Sequence, residues 1–219
     1  IPDLIMKALQ PILNMSDGLV SILLVVFLIH LLWFCGIHGA NVVSVVLQPI
    51  IYTNLAINQA ALVAGEPIPK ILAGEFLNYF VYFGGSGSTL SLCIAMLMVK
   101  NAHLKSIGKL AIIPGCFNIN EPIMFGVPIV MNPIFAIPFI LTPMVNAVIT
   151  YTLMKLNIVA KVVALAPWTT PPILGGFIAT NLNFAAPILV ICLIILDYII
   201  YKPFLNMYIK ELEKEETKY

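Results

Sequence analysis

The chain of 219 residues is 61% hydrophobic and 10% charged, and its mean hydropathy is +1.03. Soluble domains carry about 25% charged residues, so this composition excludes an ordinary soluble domain and predicts an integral membrane protein. The net charge is +1 and the chain contains no arginine. A nucleic-acid partner is not expected, because binding of nucleic acid requires a basic patch.

The beginning of the chain does not resemble a signal peptide. Residue 1 is Ile1 rather than Met, and the first residues lack the charged start and apolar core of such a peptide. We therefore interpret the sequence as a piece of a longer protein. Met6, Leu9 and Leu13 have the spacing of an amphipathic helix.

The first half of the chain contains one strong candidate for a spanning helix. The apolar run from Leu19 to Phe34, extended to Ile37, nearly reaches the length of about 20 residues that a spanning helix needs. The more polar segment 54–75 predicts a loop or a helix that lies on the membrane surface.

Two short apolar arms, 76–83 and 89–99, flank the glycine-rich segment 84–88. This arrangement predicts a re-entrant hairpin, with a flexible linker as the alternative. The following segment, 100–109, carries three lysines. By the positive-inside rule, it predicts a cytoplasmic loop.

The second half of the chain is interrupted by prolines before it ends in a long apolar run. Prolines occur at 122, 128, 133, 138 and 143. A straight helix is not expected to carry this series, so we predict broken or re-entrant segments followed by a helix at 146–154. The run 182–201 predicts a second spanning helix.

The predicted fold is all-α and polytopic, with transmembrane helices and re-entrant hairpins. We divide it into a membrane-embedded domain, 1–201, and a charged cytoplasmic tail, 202–219. The four cysteines lie in apolar surroundings without a CxxC spacing, which predicts small core residues rather than a disulfide framework or a metal site. They are Cys35, Cys93, Cys116 and Cys192.

Glu121 is the only acid between Glu75 and Asp197, and it lies among apolar residues, asparagines, prolines and glycines. Removing an ionised carboxylate from water is costly unless a partner compensates. Pro122 disfavours helical geometry at Glu121, which predicts a break in the backbone. An acid at such a break predicts a binding site facing a cavity. The alternatives are a carboxylate that joins two helices and one at the membrane surface.

Further polar and aromatic residues near helix ends complete a candidate site. His38, close to Gly36 and Gly39, can face a cavity, whereas a structural histidine at a helix end is the alternative. Trp168 is either an interfacial residue or a stacking platform. Amides, a carboxylate, an imidazole and aromatic rings suit a neutral polyhydroxy ligand. A sugar site inside a membrane is therefore predicted from His38, Asn118, Asn120, Glu121, Trp33 and Trp168.

The sequence shows none of the patterns that would hold a metal or a nucleotide. It has no array of acids for calcium, no His/Cys cluster with zinc spacing, no P-loop and no G-x-S-x-G elbow. We therefore expect no cofactor and no metal. A proton-coupled carrier could use the same polar residues as a sugar site.

Three segments of the chain are distinctive: Trp33-Phe-Cys-Gly-Ile-His38-Gly39, Asn118-Ile-Asn120-Glu121-Pro122-Ile-Met-Phe-Gly126-Val-Pro128 and Ala166-Pro-Trp168-Thr-Thr-Pro-Pro172. They resemble enzyme IIC, the membrane component of the bacterial phosphoenolpyruvate-dependent sugar phosphotransferase system (PTS), in its lactose/cellobiose/chitobiose branch. The likeness covers the whole chain and corresponds to the C-terminal, substrate-binding half of such a protein. It implies a multi-pass protein of the bacterial inner (plasma) membrane.

The resemblance also implies roles for individual residues. Glu121 and His38 would be the catalytic anchors near the C6 hydroxyl of a bound disaccharide, which receives a phosphoryl group. Asn120 would hold the sugar ring, and Trp33 and Trp168 would pack on it. The glycine-rich tip and a later proline-rich segment would form re-entrant loops.

The resemblance implies partners as well. The phosphoryl donor would be a phosphocysteine on a separate IIB protein, so that the chain would act within a protein-phosphocysteine–sugar phosphotransferase. A homodimer would form through N-terminal helices that lie outside this sequence. The identity of the disaccharide is left open.

Two other functions also stay open. A secondary transporter would couple sugar movement to protons through Glu121 and would release free sugar rather than sugar phosphate. A helical assembly subunit would bind no sugar.

Overall fold

The structure, a computed structural model, describes residues 17–216. Within this range the chain is all-helical. The predicted amphipathic helix around Met6, Leu9 and Leu13 lies outside the described residues. The helices are α1 (Leu19–Phe34), α2 (Gly39–Ala64), α3 (Phe76–Phe80), α4 (Thr89–Leu97), α5 (Ala102–Cys116), α6 (Glu121–Gly126), α7 (Pro133–Lys155), α8 (Pro172–Ala179) and α9 (Ala185–Glu216).

Three of the described helices, α2, α7 and α9, are long and apolar enough to cross a membrane. The predicted spanning run 19–37 is shorter than expected, because α1 has 16 residues and ends at Phe34. Gly36 adopts φ +82° there, and its N–H bonds to the carbonyl of Trp33. The second predicted span begins three residues later than expected, at Ala185, and continues through Tyr201 without interruption.

The prediction of a loop or surface helix at 54–75 is wrong for its first part. Helix α2 continues to Ala64, and only 65–75 is irregular. The two asparagines that made this segment polar, Asn54 and Asn58, are buried. Their amides donate to backbone carbonyls of the irregular segment 65–75, which we call the returning loop, including that of Leu72 at 2.8 Å. Their polarity therefore serves internal packing rather than contact with water.

The returning loop is also fastened to the start of α1. The Asp17 carboxylate accepts hydrogen bonds from the backbone N–H groups of Ile71 and Leu72, at 2.9 and 2.7 Å. Partial burial raises the pKa of the Asp17 carboxyl above its ordinary value, and these two bonds oppose the rise.

The glycine-rich segment 84–88 is the buried tip of a helical hairpin formed by α3 and α4, not a flexible linker. Ser88 takes a left-handed conformation, and its hydroxyl donates to the carbonyl of Val81 at 2.8 Å. The hydroxyl of Tyr201 on α9 donates to the carbonyl of Gly87 at 2.5 Å. The tip is thus held by side chains of its own hairpin and of a spanning helix.

A buried polar pair joins the two longest C-terminal helices behind this tip. The amide of Asn146 on α7 donates to the carboxylate of Asp197 on α9 at 2.9 Å. The same amide lies 3.1 Å from the Ser88 hydroxyl and from the Val81 carbonyl. Asp197 is 0% exposed. This network connects α7, α9 and the hairpin at one point.

The prediction that prolines break the segment 122–154 is wrong for most of its length. Helix α7 contains Pro138 and Pro143 in its interior and begins at Pro133. Inside a membrane protein, neighbouring groups can satisfy the carbonyls that a proline leaves unpaired, so proline is a weaker helix breaker there. A break does occur before Pro122, which lies in the first turn of the short helix α6.

Two further predictions need correction. The lysine-rich segment 100–109 is helical from Ala102, and Asn101 caps that helix by accepting from the N–H of Leu104 at 3.0 Å. Of the cysteines, Cys93 is buried, whereas Cys35 and Cys192 are exposed. An apolar sequence context does not separate core positions from lipid-facing ones in a membrane protein.

A second hairpin is formed by α8 and the segment before it, 163–171, which contains Pro167 and Pro171. The N–H groups of Val163 and Ala164 both donate to the carbonyl of Ala179, at 2.8 and 3.0 Å. The Tyr79 hydroxyl on α3 donates to the carbonyl of Pro167 at 2.6 Å, so the turn of this hairpin contacts the first one. The two predicted hairpins therefore lie next to each other.

Candidate functional site

A cavity of about 850 Å³ lies between the first hairpin, helix α2 and the break that precedes α6. Its volume is within the range of small-molecule sites in proteins. All six site residues predicted from the sequence line it, although they come from three separate segments of the chain. They are Trp33, His38, Asn118, Asn120, Glu121 and Trp168.

Glu121 is the first residue of α6, directly after the irregular segment 117–120. Its side chain is exposed and lines the cavity. Pro122 occupies the first turn, where the missing N–H of a proline costs no helical hydrogen bond. The break predicted from the Glu-Pro pair therefore exists, and it turns the carboxylate toward the cavity.

His38 caps the N-terminus of α2. Its Nδ1 accepts a hydrogen bond from the backbone N–H of Asn41 at 3.2 Å. A neutral imidazole that accepts at Nδ1 carries its proton at Nε2, so His38 can offer a donor to a ligand. The structural and binding interpretations of this residue are compatible, because each uses a different ring nitrogen.

Trp33 lies against His38, with ring centroids 4.3 Å apart and planes at 47°. It is 6% exposed, so only a small part of its ring reaches the cavity. Its Nε1 has no hydrogen-bond partner in the described part of the chain. Trp33 therefore supports the imidazole and leaves one N–H without a protein acceptor.

Asn120 is held against the glycine-rich tip. Its Nδ2 donates to the carbonyl of Ser86 at 3.0 Å. Gly85 has φ +92°, and a Cβ built there would lie 2.5 Å from the Asn120 Cγ. Only glycine fits this contact without displacing the asparagine. The amide oxygen of Asn120 has no partner among residues 17–216 and is available to a ligand.

Asn118 has a structural role that the sequence did not distinguish from binding. Its Oδ1 accepts from the N–H of Gly84 at 2.7 Å, and its Nδ2 donates to the carbonyls of Trp168 and Thr170 at 2.6 and 3.3 Å. One side chain thus joins both hairpins to the break before α6. Trp168 itself is 50% exposed and lines the cavity beside this joint.

Sequence reasoning missed part of the cavity wall. Asn41, Ser44, Gln48 and Tyr52 line it from one face of α2, and Glu75 and Asn78 line it from the loop before the first hairpin and from α3. The signal was present as polar residues three or four apart on an apolar helix. For Glu75, the sequence indicates only that it is the acid preceding Glu121.

Among residues 17–216, no three His, Cys, Asp or Glu side chains lie close enough together to hold a metal ion. The chemistry that the cavity can perform rests on a carboxylate, an imidazole, amides and indole rings. These groups can hold a hydroxyl-rich ligand and accept a proton from it.

Comparison with known proteins shows the family of the chain. Residues 1–143 match the family profile described as "Phosphotransferase system, EIIC". The chain belongs to this family. The motifs around His38 and Glu121 had pointed to the same family, so the predicted resemblance is confirmed.

Several curated PTS EIIC proteins are similar to the chain. The lichenan permease IIC component of Bacillus subtilis (strain 168) is 45% identical over 189 residues, which are 85% of this chain and 42% of the relative. The oligo-beta-mannoside-specific EIIC component of the same strain is 39% identical over 208 residues, 93% of this chain and 47% of the relative. The lactose-specific EIICB component of Staphylococcus aureus (strain N315) is 38% identical over 213 residues, 97% and 37%.

A solved structure shares the fold. It is the crystal structure of the transporter ChbC, described as the IIC component from the N,N'-diacetylchitobiose-specific phosphotransferase system. Its TM-score to this PTS EIIC chain is 0.89 at 38% identity, covering 95% of this chain and 49% of ChbC. The all-α polytopic fold predicted from the sequence is thereby confirmed. The chain spans less than half the length of each of these relatives.

Proposed function

We propose that the chain is the sugar-binding half of a PTS permease that carries a disaccharide of the chitobiose, cellobiose or lactose class. The observation that carries this proposal is the meeting of Glu121, His38, Asn120, Trp33 and Trp168 at one cavity. The names of the relatives, which refer to lichenan, lactose and N,N'-diacetylchitobiose, support the same class of substrate.

In this proposal each residue of the site has a distinct task. Glu121 accepts hydrogen bonds from the sugar and takes the proton of the C6 hydroxyl when a phosphoryl group arrives. His38 donates from Nε2 to the sugar, and Asn120 accepts through Oδ1. Trp33 and Trp168 provide aromatic surface for the apolar faces of the rings. Catalysis of phosphoryl transfer then consists mainly of positioning and charge control.

The phosphoryl group comes, in this proposal, from a phosphocysteine on a IIB partner. The Staphylococcus aureus relative supports such a partnership, because its name joins the C and B components. The protein resides in the bacterial inner (plasma) membrane and dimerises through a part outside this sequence. Residues 1–201 form the membrane-embedded domain, and 202–219 form its cytoplasmic tail.

The direct experiment has two steps. First, equilibrium binding of chitobiose, cellobiose and lactose is measured on the complete protein in detergent, and we expect at least one to bind. Second, membrane vesicles that contain the protein and phosphorylated IIB are supplied with that sugar, and we expect sugar phosphate inside. Free sugar that accumulates with a proton gradient and without phosphoenolpyruvate would instead establish a secondary transporter. Absence of sugar binding would favour an assembly subunit.

A further inference from the structure

A buried carboxyl group lies behind the glycine-rich tip and outside the lining of the central cavity. It belongs to Asp197 of α9, which is 0% exposed. Its Oδ2 accepts from the Asn146 amide at 2.9 Å, whereas its Oδ1 has no hydrogen-bond partner among residues 17–216. The amide oxygen of Asn146 is also buried and has no partner there. The pair thus leaves two buried oxygen atoms without a donor.

The surroundings of Asp197 do not suit an ionised carboxylate. Within the described part of the chain no lysine forms an ion pair with it. Helix α7 and the tip present Asn146 and Ser88 to it, neither of which titrates. The titratable groups of this region are Tyr201 on α9 and Cys93 on α4, and a phenol and a thiol are both neutral at neutral pH. A buried carboxylate with one hydrogen bond and no cation is costly, whereas a protonated acid can donate to an oxygen that lacks a donor.

Asp197 is connected to the sugar site through the tip. The Asn146 amide lies 3.1 Å from the Ser88 hydroxyl, at the end of the tip, and 3.1 Å from the Val81 carbonyl that precedes it. Between these two points, a backbone carbonyl of the tip accepts from the Asn120 amide at 3.0 Å. Asn146 therefore holds both ends of the segment against which Asn120 is placed, and Asp197 holds Asn146.

We propose that Asp197 is a positioning residue of the sugar site and that it acts as a neutral, protonated acid. One oxygen of the acid accepts from the Asn146 amide nitrogen, and the acid proton is donated to the Asn146 amide oxygen. The closed pair fixes the tip, and the tip fixes Asn120. This inference rests on the proposed function, because the position of Asn120 matters to a sugar only if Asn120 binds it.

Infrared spectroscopy of the complete protein at neutral pH tests the protonation directly. The carbonyl stretch of a protonated acid is separate from the bands of ionised carboxylates, and exposed acids are ionised at this pH. We expect the difference spectrum between the unaltered protein and Asp197→Asn to show the loss of one protonated-acid band. The control Glu211→Gln, which alters an exposed acid, should lose an ionised-carboxylate band instead. Loss of an ionised-carboxylate band in Asp197→Asn would overturn the inference.

Calorimetry with the disaccharide tests the positioning role. Asparagine has the shape of a neutral acid and offers both an acceptor and a donor. Asp197→Asn should therefore fold and bind the disaccharide within about twofold of the unaltered protein. Asp197→Ala should weaken binding by about fivefold, the value of one hydrogen bond at Asn120. An Asp197→Asn protein that does not fold, or Asp197→Ala with unaltered affinity, would overturn the inference.

Ser91→Ala is the matched control for a loss of stability alone. The Ser91 hydroxyl donates to the carbonyl of Ile194 at 3.1 Å, and so joins the same hairpin to the same helix without contacting the tip. Its loss should lower the melting temperature as Asp197→Ala does and leave the affinity unchanged. Equal losses of affinity in the two variants would show that Asp197 contributes only to stability and would overturn the positioning role.

The inference and the proposed function fail in different ways. If the unaltered protein binds a disaccharide and Asp197→Ala binds it equally well, the positioning role is refuted while the proposed function stands. If the unaltered protein binds no disaccharide, the proposed function is refuted and the positioning role with it. The infrared spectrum decides the protonation of Asp197 in either case.

Discussion

Gly85 offers a sharp test of how the glycine-rich tip positions the site. In Gly85→Ala, the new Cβ would lie 2.5 Å from Cγ and 2.9 Å from Nδ2 of Asn120. Since Cβ contacts below 3.0 Å do not occur, Asn120 must move and its 3.0 Å bond to the Ser86 carbonyl must break. Loss of one hydrogen bond from Asn120 to the ligand costs about 1 kcal/mol, so we expect disaccharide affinity to fall by about fivefold to tenfold.

Titration calorimetry with the disaccharide measures this effect, and Gly65 provides the matched control. Gly65 also has a positive φ, +71°, but a Cβ there would meet no atom within 4 Å. Both variants therefore carry backbone strain, of about 1–2 kcal/mol, and only one displaces Asn120. We expect Gly65→Ala to bind sugar normally. Normal binding by Gly85→Ala would refute the proposed role of Asn120.

Three further variants separate binding from stability. His38→Ala should weaken disaccharide binding about tenfold in calorimetry. His38→Asn should restore the helix cap and the thermal stability without restoring the affinity. Unchanged affinity in His38→Ala would show that the residue is only structural. Asn118→Ala should lower the free energy of unfolding by about 2–6 kcal/mol, because it leaves the buried N–H of Gly84 and the carbonyl of Trp168 unpaired; an unaltered melting temperature would contradict this. Asp197→Ala should cost about 1 kcal/mol by removing one of the three acceptors of the Asn146 amide, whereas the exposed control Glu211→Ala should melt like the unaltered protein.

The sequence predicted which residues line the cavity better than it predicted the helix boundaries. A lone acid before a proline is rare in an apolar chain, so Glu121 was informative by itself. His38 and Asn120 became informative through motifs that resemble a family. The sequence could not separate Asn118 from Asn120, since both are asparagines of the same segment. Only the three-dimensional contacts show that both ends of the Asn118 amide are bonded within the protein, whereas the Asn120 amide oxygen has no partner among residues 17–216.

The errors in the fold have a common physical cause. Asn58 suggested a loop, and Pro138 and Pro143 suggested broken helices, because rules from soluble proteins treat polar residues and prolines as signs of water or chain breaks. In this protein the Asn58 amide donates to the carbonyls of Lys70 and Val162, both at 2.8 Å. Where lipid surrounds the protein, polar side chains and the carbonyls that a proline leaves unpaired form hydrogen bonds within the protein rather than with water.

The polar face of α2 that lines the cavity could not be predicted for a different reason. Gln48 and Tyr52 lie four residues apart, but Pro49 and apolar neighbours between them made the segment look uniform. A helix that continues to Ala64 turns these positions toward the same cavity.

The central claim is that Glu121 acts on the sugar hydroxyl that receives the phosphoryl group. The most direct measurement is phosphoenolpyruvate-dependent formation of sugar phosphate in vesicles that contain the complete protein and its phosphorylated IIB partner. We predict that Glu121→Gln forms no detectable sugar phosphate, while Glu66→Gln forms as much as the unaltered protein. Sugar phosphate at near wild-type rates in the Glu121→Gln vesicles would contradict the account.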